Sequence, residues 1–205
     1  MKVLMLNGSP HKEGTTFTAL CEVEKTLNES GIETEIVWIK TKPLMSCMAC
    51  GKCSDLGKCV FDDGVNEFVQ KAQSADGFIF GSPTHYAAAT GAITSFLGRA
   101  FYSNSSAFAF KPAAIVTSAR RGGTTSVFDQ LNKFMGISQM PIICTSYWNE
   151  VFGRNGEDAK EDLEGMQTMR QLGRNMAYFL KCIESGKKEG IEPEIEDKVF
   201  FNFIR

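Results

Sequence analysis

Runs of apolar residues alternate along this chain with segments in which apolar positions recur every three or four residues. VLMLNG (3–8) is a continuous apolar run closed by turn residues, the pattern of a strand buried on both faces. Residues 15–30 put Phe17, Leu20, Val23 and Leu27 on one helical face, and Gly31 supplies a C-terminal stop. TEIVWI (34–39) predicts a second strand, VNEFVQKAQSA (65–75) a helix, and DGFIFGS (76–82) a third strand. GAITSFLGRAF (91–101) predicts a helix, AAIVTS (113–118) a fourth strand, TTSVFDQLNKFMG (124–136) a helix closed by Gly136, and QMPIICTS (139–146) a fifth strand. A long final helix carries Leu163, Met166, Met169, Leu172, Met176, Phe179 and Ile183 on one stripe. Five strand–helix units in succession predict an α/β domain whose parallel sheet is covered on both faces.

Composition narrows the function classes. At 205 residues the chain suits one well-buried domain rather than two, and a net charge of −2 offers no footprint for nucleic acid or an anionic membrane. The opening apolar run is too short for a signal-peptide core, and no stretch is long enough to cross a bilayer, so the expected location is cytoplasmic. Thiols stay reduced there, which turns attention to the cysteines. Cys21, Cys144 and Cys182 read as small core residues. The tail IEPEIEDKVFFNFIR is apolar at Phe200, Phe201, Phe203 and Ile204, and is expected to pack on the domain's own surface or on a second subunit. The expected organisation is a domain over 1–186 with a Cys-rich insert at 43–64, a tail over 187–205, and a homodimer or higher homo-oligomer.

In an open parallel sheet, ligands bind beyond the carboxyl ends of the strands. NGSPHKEGTT, after the first strand, opens directly into a helix. Hydroxyls of Ser9, Thr15 and Thr16, glycines at 8 and 14, and the unpaired N–H groups of a helix start make a phosphate site built on neutral donors. Neither G-x4-G-K-[ST] nor G-x-G-x-x-G is present, and an ordinary turn with a threonine cap is the competing reading. After the third strand, GSPTHYAAATG carries Thr84, His85 and Tyr86 behind Pro83, suited to a planar ring. After the fourth, SARRGG offers close backbone approach, while Arg120 and Arg121 can set positive charge near a ring that becomes anionic on reduction. Tyr147 and Trp148 after the fifth strand are further candidate walls. Together the loops describe a site for a mononucleotide with a phosphate and a flat ring. A phospho-receiver is excluded, since Asn7-Gly8-Ser9 and Gly81-Ser82 stand where it needs carboxylates.

SCMACGKCSDLGKC (46–59) spaces four cysteines C-x2-C-x2-C-x5-C. Thiolates favour iron–sulfur clusters and zinc, but zinc usually joins two knuckles across a longer spacer. A metal centre and a loop of free thiols both remain open on spacing alone.

These residues resemble the flavodoxin-like NADPH-dependent FMN reductase family at GSPHKEGTT, at GSPTHYAAATGAITSFLGRAF and at SARRGG. The resemblance implies a three-layer α/β sandwich with a five-stranded parallel sheet of order 2-1-3-4-5. It implies FMN, with its phosphate on Ser9, His11, Thr15 and Thr16. The flavin ring would lie against Pro83, Thr84, His85 and Tyr86 and against Ser118, Arg120, Arg121, Gly122 and Gly123. An aromatic is usual where His85 stands. The Cys segment is similar to the compact four-cysteine motif of the iron-sulfur flavoproteins, which implies a [4Fe-4S] cluster on Cys47, Cys50, Cys53 and Cys59. The function implied is an oxidoreductase taking electrons from NAD(P)H through FMN to a flavin, quinone or other small-molecule or protein acceptor, with no catalytic side chain beyond the flavin. The alternative is an electron carrier exchanging electrons with a ferredoxin-like partner through FMN and the cluster.

Overall fold

The protein is described by a computed structural model covering residues 1–39, 43–197, 199 and 201. The elements are β1 (Lys2–Asn7), α1 (Thr15–Glu29), β2 (Glu33–Trp38), α2 (Cys53–Leu56), α3 (Val65–Ser74), β3 (Gly77–His85), β4 (Ala88–Ala89), α4 (Gly91–Asn104), β5 (Ala113–Ala119), α5 (Thr124–Ile137), β6 (Glu150–Phe152), α6 (Gly156–Glu161) and α7 (Leu163–Lys188). The sheet runs β2-β1-β3-β5-β6, with β4 folding back antiparallel on β3. All other pairings are parallel, so the expected 2-1-3-4-5 order holds once the two-residue β4 is set aside.

Alternation along the strands divides the core into two layers. Leu4, Leu6, Phe78, Phe80 and Ile115 face one layer, with Phe68, Ile93, Phe96, Leu97, Val127 and Leu131 from α3, α4 and α5. Val3, Met5, Ile79, Ala114 and Val116 face the other, with Leu20, Val23, Leu27, Met169, Leu172 and Met176 from α1 and α7. Burial on both sides explains why these strands read as unbroken apolar runs.

The fifth strand departs from expectation. Residues 139–146 hold only one bridge to the sheet, Ala113 to Ile142, and the edge strand proper is Glu150–Phe152. Ala113 N–H donates to the Pro141 carbonyl, and Ile143 N–H donates to the Ala113 carbonyl. The chain then swings out and rejoins β5 at Thr117 through Ala119. The strand position was therefore legible, but Pro141 lacks an N–H for the ladder and residues 144–149 form an excursion.

The buried stripe on α7 continues from Met176 to Ala177 and Leu180, leaving Leu163 and Phe179 exposed. Repeated steps of three drift off a 3.6-residue period, and the step of four to Leu180 restores it. Cys144 and Cys182 are exposed rather than core, and Cys21 is half-buried. In the tail, Ile191, Ile195 and Val199 are exposed and Phe201 is 73% exposed. Phe200, Phe203 and Ile204 lie outside the described residues. No helix among the described residues is long and apolar enough to cross a membrane.

Candidate functional site

Three loops meet at the carboxyl ends of β1, β3 and β5. Gly8 N–H donates to the Gly81 carbonyl at 2.8 Å, and the Thr90 hydroxyl donates to the Gly8 carbonyl at 3.0 Å. A Cβ on Gly8 would come within 2.8 Å of Ile93 and 2.9 Å of the Gly81 oxygen, so only glycine allows this approach. Ser9 is buried; its hydroxyl accepts from His11 N–H at 3.1 Å and keeps its own proton available. The His11 ring is exposed. Helix α1 then starts on Gly14, which supplies no capping side chain, and its first turn carries no acid. The amides of Thr15, Thr16 and Phe17 are those a helix leaves unpaired, at the positive end of its dipole.

The two threonine hydroxyls are used differently from the surrounding amides. Thr15 Oγ1 reaches the carbonyls of Gly153 (3.2 Å) and Asn155 (3.0 Å), tying α1 to the loop after β6. Thr16 Oγ1 and Ser118 Oγ are 2.8 Å apart and buried, tying α1 to the end of β5.

The loop after β3 is a hairpin. His85 pairs with Ala88, so Tyr86 and Ala87 form a two-residue turn with φ of 51° and 55°. Tyr86 is fully exposed at its tip and His85 is exposed beside it, while Pro83 and Thr84 are half-buried. Thr84 Oγ1 is buried with no hydrogen-bond partner among the described residues. Gly123, at φ +91°, lies under the hairpin: a Cβ there would come within 3.0 Å of Ala87 Cα and 3.1 Å of Thr84 Cγ2. The 118–123 loop thus touches the β3 hairpin, and its Arg120, Arg121 and Gly122 face solvent. Tyr147 and Trp148 pack edge-on at 4.7 Å, both about half exposed.

Arg99 organises the Cys-rich segment. Only 1% exposed, it donates to both Asp63 carboxylate oxygens at 2.5 and 2.7 Å, to the Met45 carbonyl, and through Nε to Cys59 Sγ at 3.3 Å. The Phe61 ring lies 4.8 Å from its guanidinium carbon. The Asp63 hydrogen bonds push the Arg99 pKa above its ordinary value against the opposing effect of burial, and the Cys59 contact adds to the rise. Asn66 holds the same segment, accepting from Cys59 N–H at 2.9 Å and donating to its carbonyl at 2.8 Å.

The [4Fe-4S] expectation for Cys47, Cys50, Cys53 and Cys59 is corrected here. All four line one small cavity, but among the described residues no group of three or more His, Cys, Asp or Glu side chains is placed to hold a metal ion. The Cys59 sulfur accepts from Arg99, and the Cys53 sulfur lies 4.0 Å from the Tyr102 carbonyl. The cavity, about 20 Å³, has room for roughly one water. The [4Fe-4S] assignment falls with that geometry, and the carrier alternative built on it is not favoured.

Asn7, Trp38, Thr90 and Arg99 escaped the sequence reading. Asn7 is a polar residue closing an apolar strand, and Arg99 stands three residues after Phe96 on the apolar face of its helix; both were legible signals. The Trp38 and Thr90 contacts are long-range and leave no local mark.

Comparison with known proteins supports the fold and gives the family. The model of the NADPH-dependent FMN reductase family matches residues 1–153. An iron-sulfur flavoprotein of Methanocaldococcus jannaschii is 31% identical over 195 residues, covering 90% of this chain and 100% of that protein. Another, from Methanosarcina thermophila, is 27% identical over 191 residues, covering 91% and 99%. Among solved structures, a flavone reductase superposes with a TM-score of 0.70 at 18% identity, over 90% of this chain and 64% of that one. RosB bound to 8-demethyl-8-formylriboflavin-5'-phosphate gives 0.68 at 14% identity, over 100% and 93%. These two likenesses concern the fold alone. With three quarters of its length matched and its loops assembled at the strand ends, the chain belongs to the NADPH-dependent FMN reductase family, as an FMN-binding oxidoreductase of flavodoxin-like fold.

Proposed function

We propose that the protein oxidises NAD(P)H and passes the electrons to a flavin, quinone or other acceptor, with FMN held across the three converging loops. The carrying observation is their direct contact: Gly8 with Gly81, Thr16 with Ser118, and Gly123 against Ala87. The residues present fit the cofactor's chemistry. An uncapped helix start suits a phosphate, and the orphaned Thr84 hydroxyl is a buried polar atom awaiting a partner.

In this reading the phosphate lies on the Ser9 hydroxyl and the amides of Thr15 and Thr16, beside the exposed His11. The two threonine hydroxyls hold the loop in place from behind. Pro83, Thr84, His85 and Tyr86 flank one side of the ring, and the 118–123 backbone flanks its edge. Arg120 and Arg121 form no ion pair among the described residues, which leaves their charge available to the ring end and to a dinucleotide's phosphates. Bound FMN supplies the redox chemistry; the side chains bind, orient and shield. His85, Tyr86, Arg120 and Arg121 are exposed, and a nicotinamide would reach the ring past them.

The test is NADPH and NADH oxidation by FMN-loaded protein with quinone, free flavin and oxygen as acceptors. FMN-dependent turnover with at least one acceptor is expected. No oxidation of either nucleotide across all of them would reject this function.

A further inference from the structure

Three carbonyls of the loop after β1, those of Gly8, Ser9 and Lys12, accept from side chains that lie outside the turn. Asn7 is fully buried and spans the loop: its Oδ1 accepts from Ser9 N–H at 3.0 Å, and its Nδ2 donates to the Lys12 carbonyl at 3.1 Å. Trp38, at the end of the neighbouring strand β2, donates Nε1–H to the Ser9 carbonyl at 2.8 Å. Thr90 takes the Gly8 carbonyl. Three of the loop's backbone oxygens are thereby taken up by protein donors, which keeps them from meeting an anion as repulsion. What remains at the mouth is the Ser9 hydroxyl and the first amides of α1.

We infer that Asn7 and Trp38 are positioning residues that preorganise the phosphate loop, and so set the preference for phosphorylated over unphosphorylated flavin. This rests on the flavin reading above and deepens it. Neither side chain touches the phosphate. Each acts through the backbone it holds, removing an ordering cost from binding and keeping carbonyl dipoles off the anion. Asn7 is irreplaceable by a carboxylate in this role, because Asp offers an acceptor to Ser9 N–H but no donor to the Lys12 carbonyl. Trp38 extends the device to the sheet's edge, so the strand that leads into the Cys-rich segment also braces the phosphate loop.

Riboflavin and FMN differ only in the phosphate, which makes their affinity ratio the measurement. Dissociation constants for both would be taken by flavin-fluorescence titration on the parent, Asn7→Asp and Trp38→Phe. The phenylalanine keeps an aromatic ring at this position while removing the N–H donor, so it guards against a folding failure of the Asn7 variant; thermal melts check both. The expected result is about a tenfold loss of FMN affinity in each variant, with riboflavin affinity changed less than about twofold. Equal losses for both flavins, or an unchanged ratio in Trp38→Phe, overturn the inference. A parent that binds neither flavin overturns the flavin site itself, whereas a parent that prefers FMN with variants that keep the preference overturns only the positioning role.

Discussion

Tyr86 and Ala87 occupy backbone conformations that L-residues avoid. Both have positive φ in a two-residue turn between His85 and Ala88, the geometry of a type I′ turn that Asn-Gly normally fills. Each non-glycine residue there costs about 1–2 kcal/mol. The tip contacts Gly123, which itself needs positive φ, so the hairpin and the 118–123 loop fix each other. Strain of this kind gathers where a side chain must be presented, and here Tyr86 is presented to solvent above the proposed ring site. Replacing Ala87 by Gly relieves one strained residue at some cost in unfolded-state entropy. Ala87→Gly is therefore expected to stabilise the fold by about 0.5–1 kcal/mol, a rise of roughly 1–4 °C in Tm. A melt unchanged or lowered would mean the turn carries no strain.

At the scale of elements, α4 connects two regions that the sequence leaves far apart. Its N-cap Thr90 holds Gly8 in the loop after β1, and Arg99, about two and a half turns later, holds Asp63, Met45 and Cys59. Because Arg99 is almost wholly buried, removing Asp63 strands a guanidinium in the interior. Asp63→Asn is expected to cost about 3 kcal/mol by urea unfolding, while the double change Arg99→Met with Asp63→Leu costs markedly less. Equal losses for the single and double variants would show that packing, not the buried charge, holds the segment. Periodicity made the elements legible: α1, α3, α4 and α5 and four of the strands follow from apolar spacing, because each is buried in a regular pattern. The split edge strand was not legible, since Pro141 and the 144–149 excursion are decided by hydrogen bonds to Ala113 and Thr117. At the candidate site, glycines and hydroxyls marked loops that the structure brings together, yet spacing alone could not say that the Thr15 hydroxyl reaches Gly153 and Asn155 and the Thr16 hydroxyl pairs with Ser118. Nor could it show that the Cys59 sulfur accepts from Arg99 and that the Cys53 sulfur lies by the Tyr102 carbonyl.

For the whole molecule, the candidate site occupies one end of the sheet, which leaves the edges and the opposite end to hold the fold. Among the described residues β2 is an edge strand, and charge ties it to its neighbours. Glu35 accepts from Lys2 of β1 at 2.8 Å and from Lys71 of α3 at 2.5 Å, joining three elements. The Lys2 hydrogen bond, then that of Lys71, holds the Glu35 carboxyl below the usual carboxylate range, and both lysines are raised, chiefly by Glu35. A carboxyl whose folded pKa is depressed contributes stability above its unfolded value near 4.3, and that contribution disappears as pH falls through the folded value. The lysines, raised in the fold, keep theirs below about 10.4 and lose it as pH rises beyond. The network thus acts across the neutral range and fails at both extremes. Its members are partly exposed, so the effect is small and screened by salt. Glu35→Gln is expected to be slightly less stable than the parent at pH 7, with the gap closing below about pH 4 and shrinking in high salt. Urea midpoints at three pH values measure it, and a gap that stays constant from neutral to acid would show that Glu35 contributes through packing instead of charge.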